Sequence, residues 1–139
     1  MFESIENEMI DASIRHVFVY GTLRRGDDND INLLSPSPHF VGAGTVGGVM
    51  YHLGDYPGVL LNDAPQHNIV GEVYAIAPEL EKVLDEIEMI YPQQHDEYSK
   101  CTVIAMVEAR QISCLFYEIN AAYVADRPVI ATGDWIKGR

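Results

Sequence analysis

Apolar residues along the chain gather into short β-branched or aromatic runs, separated by glycine- and proline-rich connections, and one stretch repeats at helical spacing. The first run, Val17, Phe18 and Val19, predicts a short buried strand that stops at Gly21. Over residues 40–53 the β-formers are interleaved with Gly42, Gly44, Gly47 and Gly48. That mixture predicts a strand that bends sharply or admits another backbone at close range, and hence a curled or closed sheet. Residues 56–61 read as a second extended piece, 62–68 as a loop, and 69–77 as a strand with clean alternation. Residues 97–107 and 111–119 read as two strands of an antiparallel hairpin, joined by a tight connection near Ala109 and Arg110.

The helical stretch opens at Pro78, with acids in its first turn where the helix dipole favours them. Leu80, Val83, Leu84, Ile87 and Tyr91 form one stripe, and Pro92 ends the helix. At about 100° per residue, Lys82, Asp85 and Glu86 are expected to point away from that stripe. Glu88 follows Leu84 by one turn and is expected on the stripe's edge, half-turned toward the interior. Turn-rich residues 26–30 cap a short helical piece through Ile31, Leu33 and Leu34, which Ser35-Pro36-Ser37-Pro38 closes. Residues 1–15 carry Phe2, Ile5, Met9 and Ile14 among acids, the pattern of a weak amphipathic helix, and the tail around Trp135 is expected to cover the core. The whole predicts one α+β domain over residues 1–139: a mostly antiparallel, glycine-bent sheet with one principal helix and short accessory helices.

Composition narrows the function. A chain of 139 residues with 47% hydrophobic content buries a core without help from disulfides or metal. The formal charge of −12 is spread thinly, and no window concentrates Lys and Arg beyond Arg24-Arg25, so nucleic acid and anionic membrane are poor partners. Cys101 and Cys114 read as buried thiols in a reducing compartment, with a disulfide across the hairpin left open. The leader has neither a basic segment nor an uninterrupted apolar one, so a cytoplasmic location is expected. The five histidines show no metal-ligand spacing, and Walker, GxGxxG and G-x-S-x-G elements are absent, so no metal or cofactor is expected.

Two features carry candidate chemistry. Tyr20, Gly21, Thr22 and Leu23 turn the backbone out of the first strand at a residue without a Cβ, where successive N–H groups can converge on an anion. Glu88 is a carboxylate set against an apolar helix face. Together with G-E-V-Y at residues 71–74, L-D-E-I-E at 84–88 and Tyr98 ten positions further on, YGTLRRG at 20–26 resembles, in order and spacing, the γ-glutamylcyclotransferase-like superfamily.

The resemblance covers roughly residues 16–135 and implies a small bent β-barrel with helices packed around it. It also implies that the amides of Tyr20, Gly21, Thr22 and Leu23 hold the glutamyl part of a small γ-glutamyl substrate, and that Glu88 is the catalytic acid/base. The reaction so implied closes 5-oxoproline and expels an amine or amino acid, without metal, nucleotide or covalent enzyme intermediate. Tyr98 and Tyr117 are candidate pocket walls. Two positions depart from the family pattern: Met89, where many members have glycine, and Lys100, where they have arginine. Proton transfer requires a raised Glu88 pKa, expected from the apolar flank of Leu84 and Ile87 and from the negative end of the helix. The leaving amine, the oligomeric state and a non-catalytic carboxylate-binding or protein-interaction role on the same scaffold stay open.

Overall fold

The computed structural model describes residues 15–62, 68–90 and 96–138. The leader, Tyr91 and Pro92 lie outside the described residues. Strands β1 (Arg15–Val19), β2 (His39–His52), β3 (Pro57–Leu61), β4 (Asn68–Ile76), β5 (Tyr98–Val107) and β6 (Arg110–Ile119) form one sheet in the order β3-β2-β4-β1-β6-β5. A further pairing of β2 with β5, at Thr45 opposite Met106, closes the sheet into a barrel. Every pairing is antiparallel except β1 with β6, which run parallel at Val17 and Leu115.

Besides that contact with β5, strand β2 lies against β4 through residues 39–47 and against β3 through residues 48–52, with a bulge between Phe40 and Gly42. The glycines explain how it closes the barrel. A Cβ on Gly44 would stand 2.8 Å from the Met106 carbonyl oxygen, so only a bare backbone lets β5 come this near. The expected bend is therefore present, and it is the closure point.

Alternation sorts the strand residues into two cores. Phe18, Val46, Met50, Val59, Val73 and Phe116, one or two from each of five strands, fill the barrel interior. Val17, Val19, Tyr74 and Leu115 point outward, where Leu80 and Leu84 of helix α1 (Pro78–Asp85) and Ile31 of a 3-10 turn (Ile31–Leu33) cover them. Burial on both faces is why β1 reads as an unbroken apolar run.

Three details differ from expectation. Helix α1 is α-helical only to Asp85 and then widens into a π turn, Glu86–Ile90, instead of running on at α-helical pitch. The hairpin turns one residue earlier, at Glu108 and Ala109, with Glu108 left-handed at φ 56° and Arg110 already paired with Val107. Cys101 is half-buried and Cys114 buried, and both are free; Cys114 faces Val103 and Cys101 faces Phe116, so the thiols are offset by two positions across the ladder. The tail behaves as expected. Trp135, in a terminal helical turn (Trp135–Gly138), is buried in the barrel core, and its Nε1 donates to Asp27 Oδ2 at 2.9 Å. Among the described residues no helix is long and apolar enough to cross a membrane.

Candidate functional site

At the end of β1 the interior alternation carries on one residue, to Tyr20. Its ring stacks on Phe116 at 5.1 Å between centroids, and its hydroxyl donates to the Tyr117 carbonyl at 2.7 Å. Immobilised this way, Tyr20 fixes where the next three residues leave the sheet. Gly21 passes against the ring of Pro57, whose Cγ and Cδ lie 2.9 Å from where a Cβ would be. A turn then forms, with the Arg24 N–H donating to the Gly21 carbonyl at 3.0 Å. Asn29 donates to both the carbonyl (2.9 Å) and the hydroxyl (3.0 Å) of Thr22, and Leu23 is buried. Among the described residues, the N–H groups of Gly21, Thr22 and Leu23 have no internal acceptor. The turn spends its carbonyls internally and leaves these amides available, the arrangement an anion cradle needs.

Behind the loop, Arg24 is clamped on two sides. Its Nε meets Glu72 Oε2 at 3.1 Å and its Nη1 meets Asp134 Oδ1 at 2.9 Å, with all three side chains nearly buried. The other Glu72 oxygen accepts from the Arg25 N–H and the Tyr74 hydroxyl, both at 2.9 Å. The loop is thus held to β4 and to the C-terminal turn by charge-assisted bonds.

In front of the loop lies a cavity of about 270 Å³, lined by Tyr20, Gly21, Thr22, Leu23, Glu88, Tyr98 and Tyr117, which brings every sequence-selected residue together. Glu88 projects from the π turn, beyond the last α-helical turn of α1. Burial first, and the charge of neighbouring Glu97 second, raise its pKa from 4.5 to about 7. Desolvation, the effect expected of an apolar flank, is thus the larger cause, and the second is a carboxylate that the sequence reading did not include.

That carboxylate, Glu97, is 4% exposed and lines the same cavity. Its Oε2 accepts from the Tyr56 hydroxyl at 2.6 Å, while among the described residues its Oε1 has no partner. Burial, then the bond to Glu97, holds the Tyr56 phenol well above its usual pKa. Tyr98 and Tyr117 are cavity walls with anchored hydroxyls: Tyr98 donates to the Pro57 carbonyl and Tyr117 to Asp85 Oδ1, both at 2.8 Å. Burial pushes both phenols far up. Asp28, Asn29, Asp55 and Tyr56 complete the polar lining.

Asp85, next to Leu84 but with 31% of its side chain exposed, takes the Tyr117 hydroxyl on Oδ1 at 2.8 Å and Lys100 Nζ on Oδ2 at 2.9 Å. Lys100 also meets Glu81 Oε2 at 2.7 Å, so it ties α1 to β5 behind the Tyr117 wall. Glu97 and Tyr56 escaped the sequence reading because each opens an extended piece, and no local pattern shows that the two side chains meet across 41 positions. Among the described residues no group of three His, Cys, Asp or Glu side chains is arranged to hold a metal.

Solved structures share this architecture. YkqA from Bacillus subtilis is 27% identical, with a TM-score of 0.69 over 89% of this chain, which spans 40% of the length of YkqA. An AIG2-like protein from Mus musculus, 24% identical, gives a TM-score of 0.69 over 83% of this chain and 84% of that one. YtfP from Escherichia coli, also 24% identical, gives 0.62 over 87% and 96%. No curated protein matches by sequence. The family model described as gamma-glutamyl cyclotransferase, AIG2-like, matches residues 17–137, and the chain belongs to that family.

Proposed function

We propose that the chain converts a small γ-glutamyl compound into 5-oxoproline and a free amine or amino acid, with Glu88 as the general acid/base. One observation carries this reading: a half-buried carboxylate, its pKa raised to about 7, shares a cavity with a loop whose amides have no acceptor among the described residues. The amides of Gly21, Thr22 and Leu23 would hold the substrate's α-carboxylate. Among the described residues no Lys, Arg or His lines the cavity, so the peptide dipoles are the available anion-binding groups.

With the carboxylate held there, the γ-carbonyl folds back toward the α-amine. Glu88 takes a proton from the α-ammonium, the freed amine attacks the γ-carbonyl carbon, protonated Glu88 gives that proton to the leaving nitrogen as the C–N bond breaks, and Glu88 then takes the second proton that the ring nitrogen sheds and passes it to the departing amine. The raised pKa matters energetically. An α-amine titrates near 8, so proton transfer to an ordinary glutamate is uphill by about 5 kcal/mol. Transfer to a carboxylate at about 7 is uphill by about 1.4 kcal/mol. Holding both ends of the substrate contributes several kcal/mol more through positioning.

The test is to incubate the protein with γ-glutamylamines and γ-glutamyl amino acids and measure 5-oxoproline. Glu88→Gln is expected to lower turnover by at least about 100-fold while ligand binding persists. A parental rate in that variant refutes the role of Glu88, and binding without 5-oxoproline by the unaltered protein makes it a binding module instead.

A further inference from the structure

Glu97 is nearly inaccessible, yet one of its two oxygens has no partner among the described residues. Leaving a buried carboxylate oxygen bare is costly, and in native proteins such an atom calls for an explanation. The Tyr56 hydroxyl fixes the other oxygen at 2.6 Å, so the carboxylate is held in one orientation. Its surroundings specify the missing donor. Glu88, Asp28 and Asp55 line the same cavity, and among the described residues no cationic side chain lines it. Oε1 has almost no open surface in this structure, so a ligand group reaches it only as the wall beside it gives, and among these acids such a group would be positively charged and carry several N–H bonds.

We infer that Glu97 binds the substrate's α-ammonium, its free Oε1 accepting one N–H while Glu88 accepts another. The inference rests on the γ-glutamyl reading above and adds to it the group that orients the nucleophile. An ammonium has three N–H bonds, so it can satisfy both carboxylates at once. When Glu88 removes one proton, the neutral amine keeps an N–H on Glu97, and its lone pair is free to meet the γ-carbonyl. Glu97 stays bonded to Tyr56 throughout and neither gains nor loses a proton. The same carboxylate helps to raise the Glu88 pKa, so one residue both places the amine and tunes the base that deprotonates it.

The test separates amine recognition from electrostatic tuning. Two probes are used on Glu88→Gln protein, which does not consume them: γ-glutamylmethylamide and N-methylglutaramate, which lacks only the α-amine. Titration calorimetry is expected to show at least tenfold tighter binding of the aminated compound. In Glu88→Gln/Glu97→Gln protein that preference is expected to fall below twofold. An unchanged preference overturns the inference. If neither probe binds the single variant, the γ-glutamyl reading itself fails and the assignment falls with it.

Kinetics add a second readout. Glu97→Gln alone is expected to raise KM for γ-glutamylmethylamide at least tenfold and to move the acid limb of kcat/KM to lower pH. Asp28 and Asp55 also line the cavity and are the same in both proteins, while the phenols of Tyr20, Tyr56, Tyr98 and Tyr117, all raised above their usual values, stay protonated across that limb. A shifted limb with KM unchanged would show tuning alone and would also overturn the inference. Should Glu97→Gln not fold, Tyr56→Phe carries the test: it releases the carboxylate's orientation and is expected to cut the amine preference three- to tenfold, and no change refutes the assignment.

Discussion

Two clusters of acidic side chains meet the loop after β1, and they are treated in opposite ways. Around Arg24, every oxygen with a structural task is occupied. Glu72 is bonded by Arg24, the Arg25 N–H and Tyr74, and Asp134 Oδ1 by Arg24 and the N–H groups of Ile136 and Lys137. Burial opposes the Asp134 charge, but the Lys137 N–H and the Arg24 guanidinium together hold its pKa below the usual carboxylate range. In the cavity, Glu88 and Glu97 oppose each other, and one Glu97 oxygen is bare among the described residues. Both clusters are largely shielded from water, so burial does not distinguish them. What does is whether the protein itself satisfies the charge or leaves that to a ligand.

Removing the charge should therefore have opposite effects on stability in the two places. The largest effect is expected at Arg24. Arg24→Met leaves two nearly buried carboxylates short of a partner, and chemical denaturation should show a loss of about 3 kcal/mol. Turnover should fall as well, because the loop amides lose their brace.

Glu88→Gln should instead stabilise the fold. Its folded pKa lies above its unfolded one, so the group's contribution is fully present below about pH 4.5 and is lost as pH rises through about 7. Relative to a neutral glutamine, the native chain should be equal in stability near pH 4 and weaker at pH 8 by on the order of 2 kcal/mol, as melts at the two pH values would show. A variant less stable at pH 8 would mean that Glu88 is a structural acid like Glu72. The smallest effect is expected at Lys100, whose side chain is 27% exposed where it bridges Glu81 and Asp85. Lys100→Met should cost under about 1 kcal/mol and leave KM within twofold, because its contacts lie on α1 outside the cavity.

The same contrast explains what could be read from the chain beforehand. The strand of Val17, Phe18 and Val19, the bend at Gly44 and the stripe of Leu80 and Leu84 are legible because local pattern and final burial agree there. Glu88 was legible as a residue facing inward, although the π turn that presents it was not, since α1 and Glu86–Ile90 differ in backbone pitch and not in residue type. The partners of Asp85 were not legible, because Lys100 and Tyr117 reach it from strands 15 and 32 positions further on. Glu97 and the Arg24 clamp were not legible at all. Arg24 finds Glu72 across 48 positions and Asp134 across 110, and no periodicity encodes such a meeting.

That last separation bears on how the protein comes to exist on the ribosome. Arg24 and Asp27 are synthesised early, while Asp134 and Trp135, which secure them, follow 110 and 108 positions later. Until those residues are in place, the guanidinium has only Glu72 as its partner, and the brace behind the amide cradle is complete only once Asp134 docks on Arg24.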